Sequence, residues 1–314
     1  MTESDREVRI GTRASKLALW QAHFIQGKIE AAGRPTEIIE ITTTGDHILD
    51  VPLSQIGDKA LFTKELDVAL LDGRIDLAVH SLKDLPTKLP SGIAIAAVSE
   101  REDPSDAFVA HPDFGGNLED LPEGSTIATS SLRRGAQLKA WRSDFAIEPV
   151  RGNVITRLEK LDASDWGGMI LASAGLIRLE LPDRIRHRVD QSIMLPAVSQ
   201  GALGVACRAD DAPLTAFLRD VVHHQNTQVA TSCERAFLRR LEGGCSVPVG
   251  AYAVVRDGRL YLEGCVASPD GRKMVRDQHE GDVADAGAIG TELAERLLDR
   301  GAGEILAHIR PKMI

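Results

Sequence analysis

Short apolar runs alternating with amphipathic stretches mark the first hundred residues, and this rhythm limits the folds open to the chain more than anything else in it. Residues 8–12 read as a strand. Residues 15–32 read as a helix with Leu17, Trp20, Phe24 and Ile25 near one face, stopped by Gly33 and Pro35. Residues 37–42 are extended, 61–71 are helical with Leu66, Ala69 and Leu70 on the apolar stripe, and 77–80 and 93–98 are short buried strands. Strands separated by helices are joined by crossovers, so they are expected to pair in parallel, and the class is α/β.

A second stretch of the same kind begins at Pro104, with strands expected over 107–110, 126–128, 145–150 and 169–172 and helices over 132–141 and 154–161. After Pro196 come a short run over 197–207, a helix near 214–222 and a longer helix over 227–241. The last segment changes character. Residues 251–256 and 260–267 alternate and meet at Asp257-Gly258, a hairpin signal, and a turn at 268–271 predicts a third antiparallel strand. A helix over 284–299, ended by Gly301, completes a small α+β unit. At roughly 150 residues per domain, 314 residues predict about two domains, with three as the alternative.

Composition works mainly by exclusion. No apolar run reaches the roughly 18 residues of a membrane span. Residues 1–9 are charged and lack the apolar core of a secretory signal. The four cysteines, Cys207, Cys233, Cys245 and Cys265, form neither a CxxC pair nor a zinc spacing, so a reducing cytoplasm and no metal are expected. A net charge of −9, from 37 basic and 46 acidic residues, argues against binding nucleic acid by bulk charge. Yet 27 of the cations are Arg and 10 are Lys. Guanidinium groups grip carboxylates and phosphates bidentately, so a small anion is the expected partner.

Four segments could carry chemistry. In the first, Arg13 and Ser15 sit where a strand meets a helix and would hold a carboxylate or phosphate, although Ser15 would equally serve as a plain cap beside a surface Arg13. The second is Thr129-Ser130-Ser131-Leu132-Arg133-Arg134. Two cations in a helix's first turn oppose the macrodipole unless an anion sits there, and Arg151, Arg157 and Arg178 follow the next strands, which suits a ligand with several carboxylates; scattered solvated Arg is the alternative. In the third, Asp84 follows a strand with Lys83 beside it and could stabilise a cation or move a proton, or simply make a turn before Pro86. In the fourth, Gly243 and Gly244 place Cys245 on a loop where a reagent could reach it, while the other three cysteines lie in regular runs and read as packing residues. Nothing in the spacing pairs Cys245 with His223 or His224.

The segments GTRASKLALWQA (11–22), GDKALFTKEL (57–66), VHSLKDLPT (79–87), TSSLRRGAQL (129–138), RGNVITRLEKLD (151–162), LASAGLIRL (171–179), QGALGV (200–205) and ERAFLRRLEGGCSVPVG (234–250) occur in that order. Together they resemble the porphobilinogen deaminase (hydroxymethylbilane synthase) family over essentially the whole chain. The resemblance implies a transferase of tetrapyrrole synthesis. It joins four porphobilinogens head to tail with loss of ammonia, working from a dipyrromethane cofactor attached by a thioether to Cys245. It implies Asp84 as the catalytic residue. Arg13, Ser15, Lys83, Thr129, Ser130, Ser131, Arg133, Arg134, Arg151, Arg157 and Arg178 would bind acetate and propionate groups, and Lys59 and Gln200 would line the cleft. The implied fold is two periplasmic-binding-protein-like α/β lobes, 1–103 with 196–222 and 104–195, and a C-terminal α+β domain, 223–314, with a three-stranded antiparallel sheet and the cofactor cysteine. The implied partners are porphobilinogen and the growing pyrrole chain, without nucleic acid or membrane, and the expected state is a cytoplasmic monomer. Three positions depart from the family pattern: Gln55 for a frequent Lys, Ser199 for a frequent Gly and Ala206 for a frequent Glu. A two-lobed binding protein with an inert Cys245, and a Cys-dependent hydrolase, are the rival readings of the same residues.

Overall fold

The structure is a computed structural model describing residues 6–43, 63–241 and 247–309. These residues divide into two units, one of 6–43, 63–102 and 202–228, the other of 103–201, 229–241 and 247–309.

In chain order the elements are β1 (Val8–Thr12), α1 (Lys16–Ala31), β2 (Thr36–Glu40), α2 (Lys64–Leu71), β3 (Leu77–Ser81), a 3₁₀ turn (Leu82–Asp84) and β4 (Ile93–Val98). There follow β5 (Asp106–Ala110), β6 (Thr126–Ala128), α3 (Leu132–Trp141), β7 (Ala146–Glu148), α4 (Val154–Asp162), β8 (Gly168–Ala172), α5 (Ser173–Arg178) and β9 (His187–Arg188). Then come β10 (Leu203–Arg208), α6 (Ala212–Val221), α7 (Gln225–Arg240), β11 (Val249–Arg256), β12 (Arg259–Ala267), β13 (Met274–Asp282), α8 (Ala286–Leu297) and α9 (Gly303–Ile309).

The first unit holds a five-stranded sheet in the order β2-β1-β3-β10-β4. β1 pairs in parallel with β2 and β3, as crossovers through α1 and α2 require. β10 enters antiparallel between β3 and β4, and it is the only strand against which β4 is laid among the described residues. Successive residues of β3 feed opposite faces: Leu77 and Val79 join the core under α1 and α6, while Ala78 joins Leu66, Leu70 and Ile75 on the other side. A sheet covered on both faces reads as a continuous apolar run rather than an alternating one.

The second unit carries a sheet in the order β7-β6-β8-β5-β9, parallel at β6–β7 and β6–β8 and antiparallel at β5–β8 and β5–β9. It also carries the antiparallel sheet β11-β12-β13. The expected turn joins β11 to β12, with Asp257 and Gly258 both at positive φ (+49° and +75°), the backbone a type I′ hairpin demands. β13 pairs along the whole of β12, as the turn at 268–271 predicts. Gly301 does not end the chain's helical course. It turns at φ +102° and α9 follows, because Ala302, Ile305, Leu306 and Ile309 still have core to cover.

Candidate active site

The first cluster forms in the first unit, where β1 and β3 end. The turn between β1 and α1 carries Arg13 and Ser15, and Ser15 caps the helix by accepting the Ala18 N–H at 3.3 Å. β3 delivers His80 and Ser81, and the 3₁₀ turn after it delivers Asp84. Leu82 and Leu85, both buried, grip the turn from either side, and the Leu82 N–H donates to the Ala202 carbonyl at 2.9 Å. Asp84 is thus an exposed carboxylate on an anchored turn. A cavity of about 80 Å³ is lined by Arg13, Ser15, Gln21, His80, Ser81 and Asp84 among others. Gln21 Nε2 donates to Ser81 Oγ at 2.8 Å. Burial, reinforced by the Arg13 charge, pushes the His80 imidazole down to about 4, so it is neutral near pH 7. Its Nε2 is buried with no hydrogen-bond partner among the described residues. Lys83 is half-buried beside Asp84 and is not among the residues lining the cavity.

The second cluster is in the second unit. Ser131 caps α3, accepting the Arg134 N–H at 3.4 Å, so Arg133 and Arg134 fall in the helix's first turn as expected. Their surroundings supply an anion from within the protein for the two cations there. Asp106, the first residue of β5 and fully buried, is an internal anion. It accepts from Arg133 Nη1 at 2.6 Å and Nη2 at 3.3 Å, from Arg134 Nη2 at 2.7 Å and Nε at 3.0 Å, and from Gln200 Nε2 at 3.0 Å. Burial alone would raise its pKa; the two guanidinium groups win and hold the carboxyl far below the usual range. Arg133 Nη1 also donates to the Leu195 carbonyl and Arg134 Nη1 to that of Ile170. Two cations share one carboxylate, so one positive charge remains in excess at the start of α3.

Arg178 is buried at the end of α5 and donates to the Gly201 carbonyl at 2.6 Å, next to Gln200. Ser130 Oγ donates to the Val150 carbonyl at 2.7 Å, and Thr129 Oγ1 accepts the Ser131 N–H at 3.2 Å. Arg151 is half-buried after β7, and Arg157 on α4 donates through Nε to the Gly152 carbonyl at 2.8 Å. The structure therefore gathers Arg13, Ser15 and Asp84 in one unit and Arg133, Arg134 and Gln200 in the other.

Lys59, Gln55 and Cys245 lie outside the described residues. The other three cysteines are buried, and burial pushes their thiols up, Cys233 to about 12 and Cys265 to about 11. Among the described residues no group of three or more His, Cys, Asp or Glu side chains could hold a metal ion, and no helix is long and apolar enough to cross a membrane. Sequence reasoning missed Asp106 and His80. Asp106 stands at a strand start with no local mark. His80 had one available signal, a lone imidazole inside an apolar strand.

Two family models match the chain: one described as porphobilinogen deaminase, dipyromethane cofactor binding domain, over residues 8–216, and one as porphobilinogen deaminase, C-terminal domain, over residues 229–299. A protein named porphobilinogen deaminase from Desulforudis audaxviator (strain MP104C) is 54% identical over 307 residues, which is 97% of this chain and 98% of that one. Its namesake from Synechococcus elongatus is 50% identical over 314 residues, 98% of each chain. An ABC transporter periplasmic substrate-binding protein from Coxiella burnetii covers 69% of this chain and 92% of its own at 16% identity, with a TM-score of 0.42, too slight a likeness to add to the topology above. The matches at half identity run the length of the chain, and the chain belongs to the porphobilinogen deaminase family.

Proposed function

We infer that the chain is a hydroxymethylbilane synthase: a transferase that condenses four porphobilinogens head to tail with release of ammonia, and then frees the linear tetrapyrrole by hydrolysis. The observation that carries this reading is the match of both family models, over residues 8–216 and 229–299. Loss of ammonia leaves the substrate pyrrole cationic. Asp84, held on its anchored turn, stabilises that charge at the ring N–H without having to reorganise. Arg13 and Ser15 take a carboxylate arm on the same unit. Each condensation adds an acetate and a propionate, so further cationic donors are needed. Arg133, Arg134, Arg151, Arg157 and Arg178 serve as these, with Thr129, Ser130, Ser131, Lys83, Lys59 and Gln200 supplying hydrogen bonds.

The excess positive charge beside Asp106 lies at a helix start and favours an anion, so this donor set fits a dipyrromethane with its carboxylates. Cys245 would hold that group by a thioether, and when bound it supplies the nucleophilic pyrrole carbon. The finer organisation belongs to the same proposal: lobes of 1–103 with 196–222 and of 104–195, a C-terminal domain of 223–314, and a monomer working in the cytoplasm.

Denaturing mass spectrometry of the intact chain tests the reading. An excess mass of two pyrrole units, absent from Cys245→Ser, is expected in a protein that consumes porphobilinogen. An unmodified chain that is fully active would overturn it.

A further inference from the structure

We propose that His80 is a ligand-binding residue whose Nε2–H donates a hydrogen bond to a carboxylate seated in the cavity beside Arg13. The proposal rests on the function inferred above and adds a contact to it. The cavity, at about 80 Å³, has room for an acid arm. Its lining is sorted by hydrogen-bonding sense. Ser15 Oγ already accepts from Ala18 N–H and Ser81 Oγ from Gln21 Nε2, so both hydroxyl hydrogens are left to donate. Arg13 adds a charge. His80 lies on this wall, 6% exposed, and among the described residues its buried Nε2 has no hydrogen-bond partner. A buried polar atom facing a cavity is open to a partner seated in that cavity. The donors around it call for an acceptor, and an acceptor-only carboxylate requires the imidazole to present N–H. Asp84, on the same cavity, is left for the ring N–H of the ligand.

The carboxylate can come from the bound dipyrromethane or from arriving porphobilinogen, and three samples separate these sources. With histidine labelled by ¹⁵N, the His80 Nε2–H signal is followed in cofactor-free Cys245→Ser, in the loaded protein, and in the loaded protein after porphobilinogen is added. A shift between the first two assigns a cofactor arm, and His80→Phe should then lose cofactor mass. A shift only on adding porphobilinogen assigns a substrate arm, and His80→Phe should then raise KM about tenfold with kcat little changed, the loss of one hydrogen bond to a charged group. His80→Gln keeps an N–H and should recover much of either loss, which a purely structural role would not give. A signal identical in all three samples, from a wild type that turns over porphobilinogen, overturns the inference alone. A wild type that neither binds nor consumes porphobilinogen overturns the proposed function and this inference with it.

Discussion

Ser199 holds φ at +65°, with its N–H donated to Glu234 Oε2 at 2.6 Å and its Oγ buried without a hydrogen-bond partner among the described residues. A side chain there is strained by its own Cβ, which is the physical reason glycine suits the position. Ser199→Gly should raise the unfolding free energy by up to about 1 kcal/mol in urea titrations, the relief of strain being partly offset by a more flexible unfolded chain. The buried thiols give a second prediction. With Cys207, Cys233 and Cys265 all shifted upward, iodoacetamide at pH 8 should leave these three unmodified in the native protein, as peptide mapping will show. Asp84→Ala should abolish turnover while leaving cofactor mass and thermal stability unchanged, because the turn is anchored by Leu82 and Leu85 and not by the carboxylate.

Between elements, α7 makes two close approaches. Phe237 sits against Gly264 of β12, where an added Cβ would lie 2.5 Å from its ring, and a Cβ at Gly290 of α8 would overlap the Cys233 carbonyl oxygen. Gly290→Ala must push two helices apart and should cost about 1–3 kcal/mol by calorimetry. β5 and α3 are joined instead by charge. Asp106→Asn leaves two buried guanidinium groups without their anion, and should destabilise the fold by about 3–5 kcal/mol. Apolar periodicity made most strands and helices readable within a few residues, α3 and the β11–β12 hairpin among them. Partnership was not readable. Nothing near Asp106 says that Arg133 and Arg134 close on it, since that contact spans 27 residues and depends on which strands lie side by side. Likewise His80 was legible as a residue of a motif, while its burial against Arg13 exists only once β1 and β3 are paired.

For the whole molecule, acid sensitivity should come in two ranges. His80 has a folded pKa near 4 against about 6.5 when unfolded, so the unfolded state takes up its proton first. Its contribution is therefore intact above pH 6.5 and is lost as pH falls toward 4, by about 3 kcal/mol. His187, also lowered by burial, acts in the same direction. Asp106 is lowered below its unfolded value, so its contribution is present above about pH 4 and is lost on further acidification. Urea titrations at pH 7, 5 and 4 should show the first decline, and His80→Phe should flatten it.

The position of β10 has a consequence for how the protein is made. β4 is complete by residue 98, yet the strand it lies against begins at residue 203. On a ribosome adding about 5–20 residues per second, the half-built sheet waits several seconds or more with the facing edges of β3 and β4 bare. Bare edges pair with whatever strand arrives first. The second sheet, whose strands all lie between 106 and 188, can close meanwhile. Nascent chains stalled before residue 203 should thus protect residues 106–188 from protease while leaving 77–98 open to cleavage and to chaperones.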